Sequence, residues 1–318
     1  MKLVALGEIL IDFLQVDDVG GLPSFVAQPG GAPANILCAA AKLGVKGAFI
    51  GKVGADRFGE QLKATLREHA VHTQGLMTSN EYPTTLAFVH INQEGDRSFS
   101  FYREGCADTK LMKEEVDPIL LQACKIFHCG SNSLTSSESA EATMFAVKLA
   151  KENGASISFD LNVRENLWQD PNAIGPAIKQ VLPYVDVLKV SEEEMELLTE
   201  QQDVEQGINM LANTYPLQLI VVTLGGNGAL YHYKNETTWI TGHTVQTVDT
   251  TGAGDSFVGA MLAGFIQANA EITQVSRQTL HDILTFANAA AAISTTKNGA
   301  IPSLPERQEI EQFLKDLS

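Results

Sequence analysis

Short apolar runs alternate with amphipathic stretches along almost the whole chain, and this alternation narrows the possible folds more than any other feature. Runs at 3–11, 47–51, 125–129, 156–160, 186–190 and 218–223 read as buried strands. Between them, stretches near 33–43, 57–69, 135–152, 172–181, 191–199 and 203–213 repeat apolar residues at helical spacing, and helices near 253–268, 276–295 and 305–316 close the chain. A strand reaches a parallel neighbour only through a crossover, and helices of these lengths supply one. The expected fold class is therefore α/β, with a central, mostly parallel sheet flanked by helices on both faces. With 318 residues, 44% of them apolar, the chain can bury a large core, and a single domain over 1–318 is expected.

One region breaks the alternation. Thr84 to Ile91 and Ser98 to Arg103 are β-rich runs joined by Asn92-Gln93-Glu94-Gly95-Asp96, which reads as a hairpin turn. No helix separates them, so they fall outside the α/β layers. With extended residues near 12–16 and 23–28, they are expected to form a small sheet that projects as a lid, built from excursions near 12–30 and 82–108. Its open edges would suit pairing in a homodimer.

A formal net charge of −16 argues against nucleic acid and anionic membrane as partners, since a basic surface supplies affinity for both. Cys38, Cys106, Cys124 and Cys129 show neither metal-ligand spacing nor a dense disulfide framework, and read as reduced thiols. An acid at Glu8 interrupts the N-terminus too early for a signal peptide. No apolar run reaches the roughly 18 residues of a membrane span, so a cytoplasmic location is expected.

The most chemically pointed stretch is Val248-Asp249-Thr250-Thr251-Gly252-Ala253-Gly254-Asp255-Ser256-Phe257. Gly252 and Gly254 let successive backbone N–H groups converge on one point, and the apolar spacing of Phe257, Val258, Met261, Leu262 and Phe265 puts that point at a helix N-terminus. The N–H groups of Gly252, Ala253 and Gly254 then suit the charge of a transferring phosphoryl group. Asp255 is expected to be ionised, an unperturbed aspartate having a pKa of about 3.9, and so able to accept a proton from an attacking hydroxyl. Taken alone, Asp255 is equally a plain helix cap.

Other candidates are weaker when read singly. Gly30-Gly31-Ala32-Pro33-Ala34-Asn35 is either an ordinary helix start or a place where a polyol meets the backbone. Asp12 is a solvated strand end or a carboxylate facing a ligand. Val221 to Ala229, with Gly225, Gly226 and Gly228, is a tight turn into a hairpin or a nucleotide loop. His69 and His72 sit three apart on a predicted helix, where a metal pair is conceivable, but with no third ligand in view they read as a solvated face. Gly47 to Val53 misses the P-loop spacing, and no Gly-x-Gly-x-x-Gly follows the first strand, which sets aside P-loop enzymes and dehydrogenases.

The ten residues from Val248 to Phe257 resemble the signature of the ribokinase-like (PfkB) carbohydrate kinases, and the resemblance runs in order over nearly the whole chain. It implies a ribokinase-like three-layer fold with a β-sheet lid, an anion hole at Gly252, Ala253 and Gly254, and Asp255 as the base. It implies sugar contacts from Asp12, Gly30, Gly31 and Asn35. Phe101-Tyr102-Arg103 and Asp160-Leu161-Asn162-Val163-Arg164 look like two motifs of bacterial and plant fructokinases, which brings in Arg103, Asn162 and Arg164. Each arginine is otherwise a surface cation, and the pair would also suit the carboxylate of a sugar acid such as 2-keto-3-deoxygluconate.

For the nucleotide, the resemblance assigns Thr223, Gly225, Gly228 and Asn288, with Lys189 near phosphate. Magnesium follows from ATP chemistry. The family's Asn-x-x-Glu element reads Ser191-Glu192-Glu193-Glu194 here, so Glu194 matches, holding Mg2+ through water, while Ser191 departs from the asparagine. Asp249, Thr251, Ser294, Lys297, Gly299 and Ser303 match positions around a monovalent cation, K+ among the candidates. The expected activity is an ATP-dependent fructokinase making D-fructose 6-phosphate, with 2-keto-3-deoxygluconate kinase or another sugar kinase as the rival. A non-catalytic sugar sensor is the remaining alternative, though it would have little use for an intact Asp255 turn.

Overall fold

The computed structural model describes residues 1–19, 22–91 and 97–317. In chain order its strands begin with β1 (Leu3–Leu6), β2 (Leu10–Val19), β3 (Leu22–Gly30), β4 (Gly47–Gly54), β5 (His72–Ser79), β6 (Leu86–Ile91) and β7 (Arg97–Tyr102). They continue with β8 (Ile126–Gly130), β9 (Ser156–Asp160), β10 (Val187–Ser191), β11 (Leu219–Thr223), β12 (Gly228–Tyr233) and β13 (Glu236–Thr241). The helices are α1 (Ala32–Lys42), α2 (Arg57–Glu68), α3 (Pro118–Gln122), α4 (Ser137–Glu152) and α5 (Ile174–Val181). They are followed by α6 (Glu192–Thr199), α7 (Val204–Thr214), α8 (Ala253–Ala268), α9 (Arg277–Ser294) and α10 (Arg307–Asp316).

Nine strands form one sheet in the order β13-β12-β11-β10-β9-β8-β1-β4-β5, parallel except for the two pairings of β12. Strands buried on both faces need apolar residues at consecutive positions, which explains why Leu219-Ile220-Val221-Val222 is a continuous run. Alternate residues serve different cores. Leu3, Ala5, Phe49, Val187 and Val221 join one apolar cluster with α1, α8 and α9, whereas Val4, Leu6, Ile50, Leu188 and Val222 join another with α4, α5 and α7.

The strand order reverses between β1 and β8, the type of crevice where α/β sheets bind ligands beyond the carboxyl ends of their strands. Asp160 ends β9, Glu8 and Asn132 follow soon after β1 and β8, and Lys189 lies within β10 beside Asp160 in the sheet register. A second sheet, β3-β2-β6-β7, forms the lid. Strands β6 and β7 pair antiparallel as a hairpin requires, while the turn expected at Asn92 to Asp96 lies outside the described residues.

Three readings are corrected. The run 3–11 is two strands: β1 ends at Leu6, and Leu10 opens β2 in the lid, so Asp12 sits inside a lid strand rather than at the end of a core strand. Strand β5 had no expected counterpart. His69 caps the C-terminus of α2 and His72 opens β5, so the two do not share a helix face, and no metal-binding cluster of His, Cys, Asp or Glu occurs among the described residues. The four cysteines are free and buried, as expected. No helix among the described residues is long and apolar enough to cross a membrane.

Candidate active site

Helix α8 begins at the glycine turn, and the packing of α8 on α1 fixes where its first acid stands. A Cβ on Gly259 would lie 2.5 Å from Ala39 Cβ and 2.7 Å from the Ile36 carbonyl oxygen, so only a glycine permits this approach. One turn earlier on α8, Asp255 meets α1 again: Asn35 Nδ2 donates to Asp255 Oδ2 at 2.8 Å.

The turn itself is braced from below. Asp249, buried, accepts from Thr251 N through Oδ1 at 2.7 Å and from Gly299 N through Oδ2 at 2.8 Å. Gly252 is left-handed at φ 78°, and a Cβ there would lie 2.9 Å from Ala300 Cβ. Of the three expected anion-hole donors, Ala253 is already engaged, its N–H donating to Thr250 O at 3.2 Å. No backbone acceptor engages the N–H of Gly252 or Gly254 among the described residues.

On one side of the turn lies a cavity of about 270 Å³ whose wall includes Asp12, Gly31, Asn35, Arg103, Asn162, Arg164 and Asp255. Gly30 borders it from behind: a Cβ there would lie 2.0 Å from Asp12 Oδ2, so the glycine makes room for the carboxylate. Gly31 is glycine because a Cβ would meet the Glu8 carbonyl oxygen at 2.6 Å. Burial pushes Asp255 from the usual carboxylate range up to about 7; the Asn35 hydrogen bond opposes the shift, the charge of Asp160 adds to it, and Lys189 and Arg164 oppose it. The expectation of an ordinary aspartate pKa is thereby corrected. Asp12 also rises to about 7, through burial first and the charge of Asp255 second, with Arg164 opposing.

The two arginines differ. Arg103 is only 5% exposed and is no surface cation: Nε donates to Asp108 Oδ2 at 2.6 Å, one terminal nitrogen to Thr135 Oγ1 at 2.6 Å, and the other to the Asn132 carbonyl at 2.8 Å. Three of its donors therefore clamp the stem of the lid to the body. Arg164 is half-buried, donates to its neighbour's carbonyl at Val163, and lowers the pKa of both Asp12 and Asp255.

On the other side of the turn a cavity of about 560 Å³ is lined by Thr223, Gly225, Gly228 and Asn288, together with His243, Ala291, Ala292 and Thr295. Its two key glycines serve different ends. A Cβ on Gly228 would lie 2.1 Å from the Ile240 carbonyl oxygen, so the hairpin demands glycine there, whereas a Cβ on Gly225 would meet nothing and its absence leaves space for a ligand. Asn288 Nδ2 donates to Thr241 O at 2.9 Å, tying α9 to the end of β13.

The two cavities share Thr250 and Gly254, so the glycine turn is the wall between them, with the Asp255 carboxyl on one side. That is the layout of a group transfer between two ligands. Comparison with known proteins agrees with it: residues 1–307 match the model of the pfkB family carbohydrate kinases. The chain belongs to that family. Probable fructokinase-3 of Arabidopsis thaliana is 42% identical over 99% of this chain and 91% of its own length. The crystal structure of fructokinase with bound ATP from Xylella fastidiosa superposes with a TM-score of 0.92 at 32% identity, covering 99% of this chain and 98% of that one. A fructokinase double mutant from Vibrio cholerae O395, in its fructose, ADP and potassium ion bound form, gives 0.90 at 33% identity, covering 99% and 98%. The protein is a fructokinase-like sugar kinase of ribokinase-like fold.

In this PfkB kinase Lys189 faces the smaller cavity, beside the turn: its Nζ would be 3.4 Å from a Cβ on Gly254 and donates to Asp160 Oδ1 at 2.9 Å. It does not line the larger cavity, where a nucleotide contact was expected. Burial pulls Lys189 down, but the charges of Asp160, Glu194 and Asp255 outweigh that and raise it, keeping a buried cation at the wall. Glu194 Oε2 accepts from Ser191 N at 2.8 Å and Oε1 from Val163 N at 2.7 Å, so each oxygen retains only part of its accepting capacity, which suits a hydrated ion rather than direct ligation.

Of the residues expected around a monovalent cation, several are engaged locally. Ser294 Oγ and Ser303 Oγ each donate to a carbonyl three residues back, and Lys297 pairs with Glu309 at 2.9 Å, so its ammonium is turned outward. Sequence reading passed over Glu8, Asn132, Asp160 and His243. Glu8 Oε1 accepts from Ala32 N and from Asn132 Nδ2, both at 3.3 Å, and burial raises its pKa. Glu8, Asn132 and Asp160 share one signal, a polar residue close behind an apolar strand run, whereas His243 follows β13.

Proposed function

We propose that this kinase, acting as one domain over its whole length, transfers the γ-phosphoryl group of ATP to the 6-hydroxyl of D-fructose, giving D-fructose 6-phosphate and ADP. The observation that carries the reading is Asp255: a buried carboxyl with a pKa near neutrality, held by Asn35 at the wall shared by a sugar-sized and a nucleotide-sized cavity. Its ionised form takes the proton of the attacking hydroxyl while the new O–P bond forms and the bond to the ADP oxygen breaks. The N–H groups of Gly252 and Gly254 and the ammonium of Lys189 face the charge on the moving group.

Acceptor atoms support a polyol. Asn35 Oδ1, Asn132 Oδ1 and Asp160 Oδ2 belong to residues lining the sugar cavity, are buried, and have no donor within the protein, so hydroxyl groups would complete them. Asp12, Gly30, Gly31, Asn35, Asn162 and Arg164 hold the sugar, and Arg103 fixes the lid above it. Thr223, Gly225 and Asn288 hold the nucleoside, with Gly228 shaping the loop. Magnesium would screen the charge of the phosphates, with Glu194 holding it through water. A potassium ion held by carbonyls of Asp249, Thr251, Ser294, Gly299 and Ser303 would stiffen the turn, in line with the potassium-bound relative. Leu22 and Val26, exposed on an edge strand of the lid, favour a homodimer through this sheet.

The test is ADP release across fructose, 2-keto-3-deoxygluconate, ribose, tagatose and fructose 6-phosphate. Fructose is expected to give the highest kcat/KM. Preference for the keto-deoxy acid would overturn the assignment of the acceptor.

A further inference from the structure

Gln28 lies on β3 directly opposite Asp12 on β2, and opposite residues of an antiparallel pair project to the same face, so Gln28 points from the lid toward the body. There its Oε1 is buried with no hydrogen-bond partner, an arrangement proteins seldom keep. The oxygen occupies space that any side chain at position 299 would need: a Cβ on Gly299 would lie 2.2 Å from it. Gly299, at φ 81°, in turn donates its N–H to Asp249 Oδ2, and the other oxygen of Asp249 holds Thr251 N. The next residue, Ala300, lies against Gly252, with 2.9 Å between its Cβ and a Cβ placed there. The segment 299–300 therefore touches the lid on one side and the phosphoryl-binding turn on the other.

We infer that Gln28 is a positioning residue whose contact with Gly299 couples the lid to the glycine turn, so that the turn is set for transfer when the lid is seated. The contact is one of shape, since Oε1 receives no donor. The inference uses the phosphoryl-transfer reading above for its readout. If that reading fails, the unsubstituted enzyme shows no sugar-dependent turnover; if this inference fails, turnover is normal and the coupling is absent.

Kinetics and thermal unfolding of the wild type, Gln28→Ala, Gly299→Ala and the double variant test it. Gln28→Ala is expected to lower kcat about tenfold, leaving KM for fructose and the Tm nearly unchanged, because a displaced but intact turn loses alignment rather than affinity. Gln28→Met, of similar length, should restore most of the rate. Gly299→Ala should be worse than Gln28→Ala, and the double variant should lose at least about fivefold less activity than the product of the two single losses, since removing Gln28 relieves the clash at position 299 while the backbone strain remains. Effects that simply multiply, a rise in KM with kcat intact, a fall in Tm matching the loss of activity, or no rescue by methionine would each overturn the inference. Should Gly299→Ala fail to fold, the Ala and Met variants at 28 decide alone.

Discussion

The two cavities on either side of the glycine turn are built from opposite materials. The larger one, proposed for the nucleotide, is lined by glycines, alanines, threonines, two asparagines, a histidine, a valine and a phenylalanine, with no Asp, Glu, Lys or Arg on its wall. The smaller one, assigned to an uncharged sugar, carries four acids (Glu8, Asp12, Asp160, Asp255) and three bases (Arg103, Arg164, Lys189). Under the proposed function, charge is concentrated where a bond would be made and broken. A nucleoside would then be held by fit and backbone polarity, which would leave the strong fields free to act on the proton and the phosphoryl group. Acids and bases nearly balance on its wall, and burial pushes its two central carboxyls, Asp12 and Asp255, up to about 7.

If this division is right, losses on the two sides must look different. Asp255→Asn should reduce kcat by roughly 10²-fold to 10⁴-fold while calorimetric affinities for fructose and ATP stay near wild type; unchanged turnover would dissolve the contrast altogether. Gly252→Ala, which forces a side chain onto Ala300 and into a left-handed backbone, should cost roughly 10²-fold in kcat. A drop in ATP affinity alone would move the turn to the nucleotide side.

Because the base form of Asp255 grows as pH rises through about 7, kcat/KM should climb by about tenfold per pH unit below that point and level off above it. A profile flat from pH 5 to 8 would remove the carboxyl from the rate. On the uncharged side, Asn288→Ala should raise KM for ATP about fivefold with fructose kinetics untouched, the loss of one hydrogen bond. Stability gives the smallest signal. Asp255 has a higher pKa folded than unfolded, so its contribution is complete below about pH 4 and is lost as pH rises through about 7. The Tm advantage of Asp255→Asn over wild type should therefore widen between pH 5 and pH 8 in a thermal-shift series.

The sheet and its helices were legible because buried parallel strands leave a continuous apolar imprint. Strand β5 left none: at the sheet edge, His72, Thr73 and Gln74 meet solvent on at least one side and its sequence looks like a loop. The break after Leu6 was hidden for a different reason. Glu8 is buried between two apolar strands, and only the tertiary arrangement, with Ala32 N and Asn132 arriving from elsewhere, explains an acid at that point.

In the site, the glycine turn announced itself because backbone shape restricts which residues can stand there. Asn132 and Gln28 did not, since each acts through neighbours more than 100 residues away. Nor could composition disclose that Asp255 titrates near 7, because that shift comes from enclosure, which no local pattern encodes.

Position 259 lines neither cavity, yet it sets how deeply two helices can nest. A single methyl there would act as a wedge one turn from the carboxyl, levering Asn35 and Asp255 apart. The seat of that carboxyl is governed by a hydrogen atom in the interior, so the proposed base could be displaced from a position that lines neither cavity.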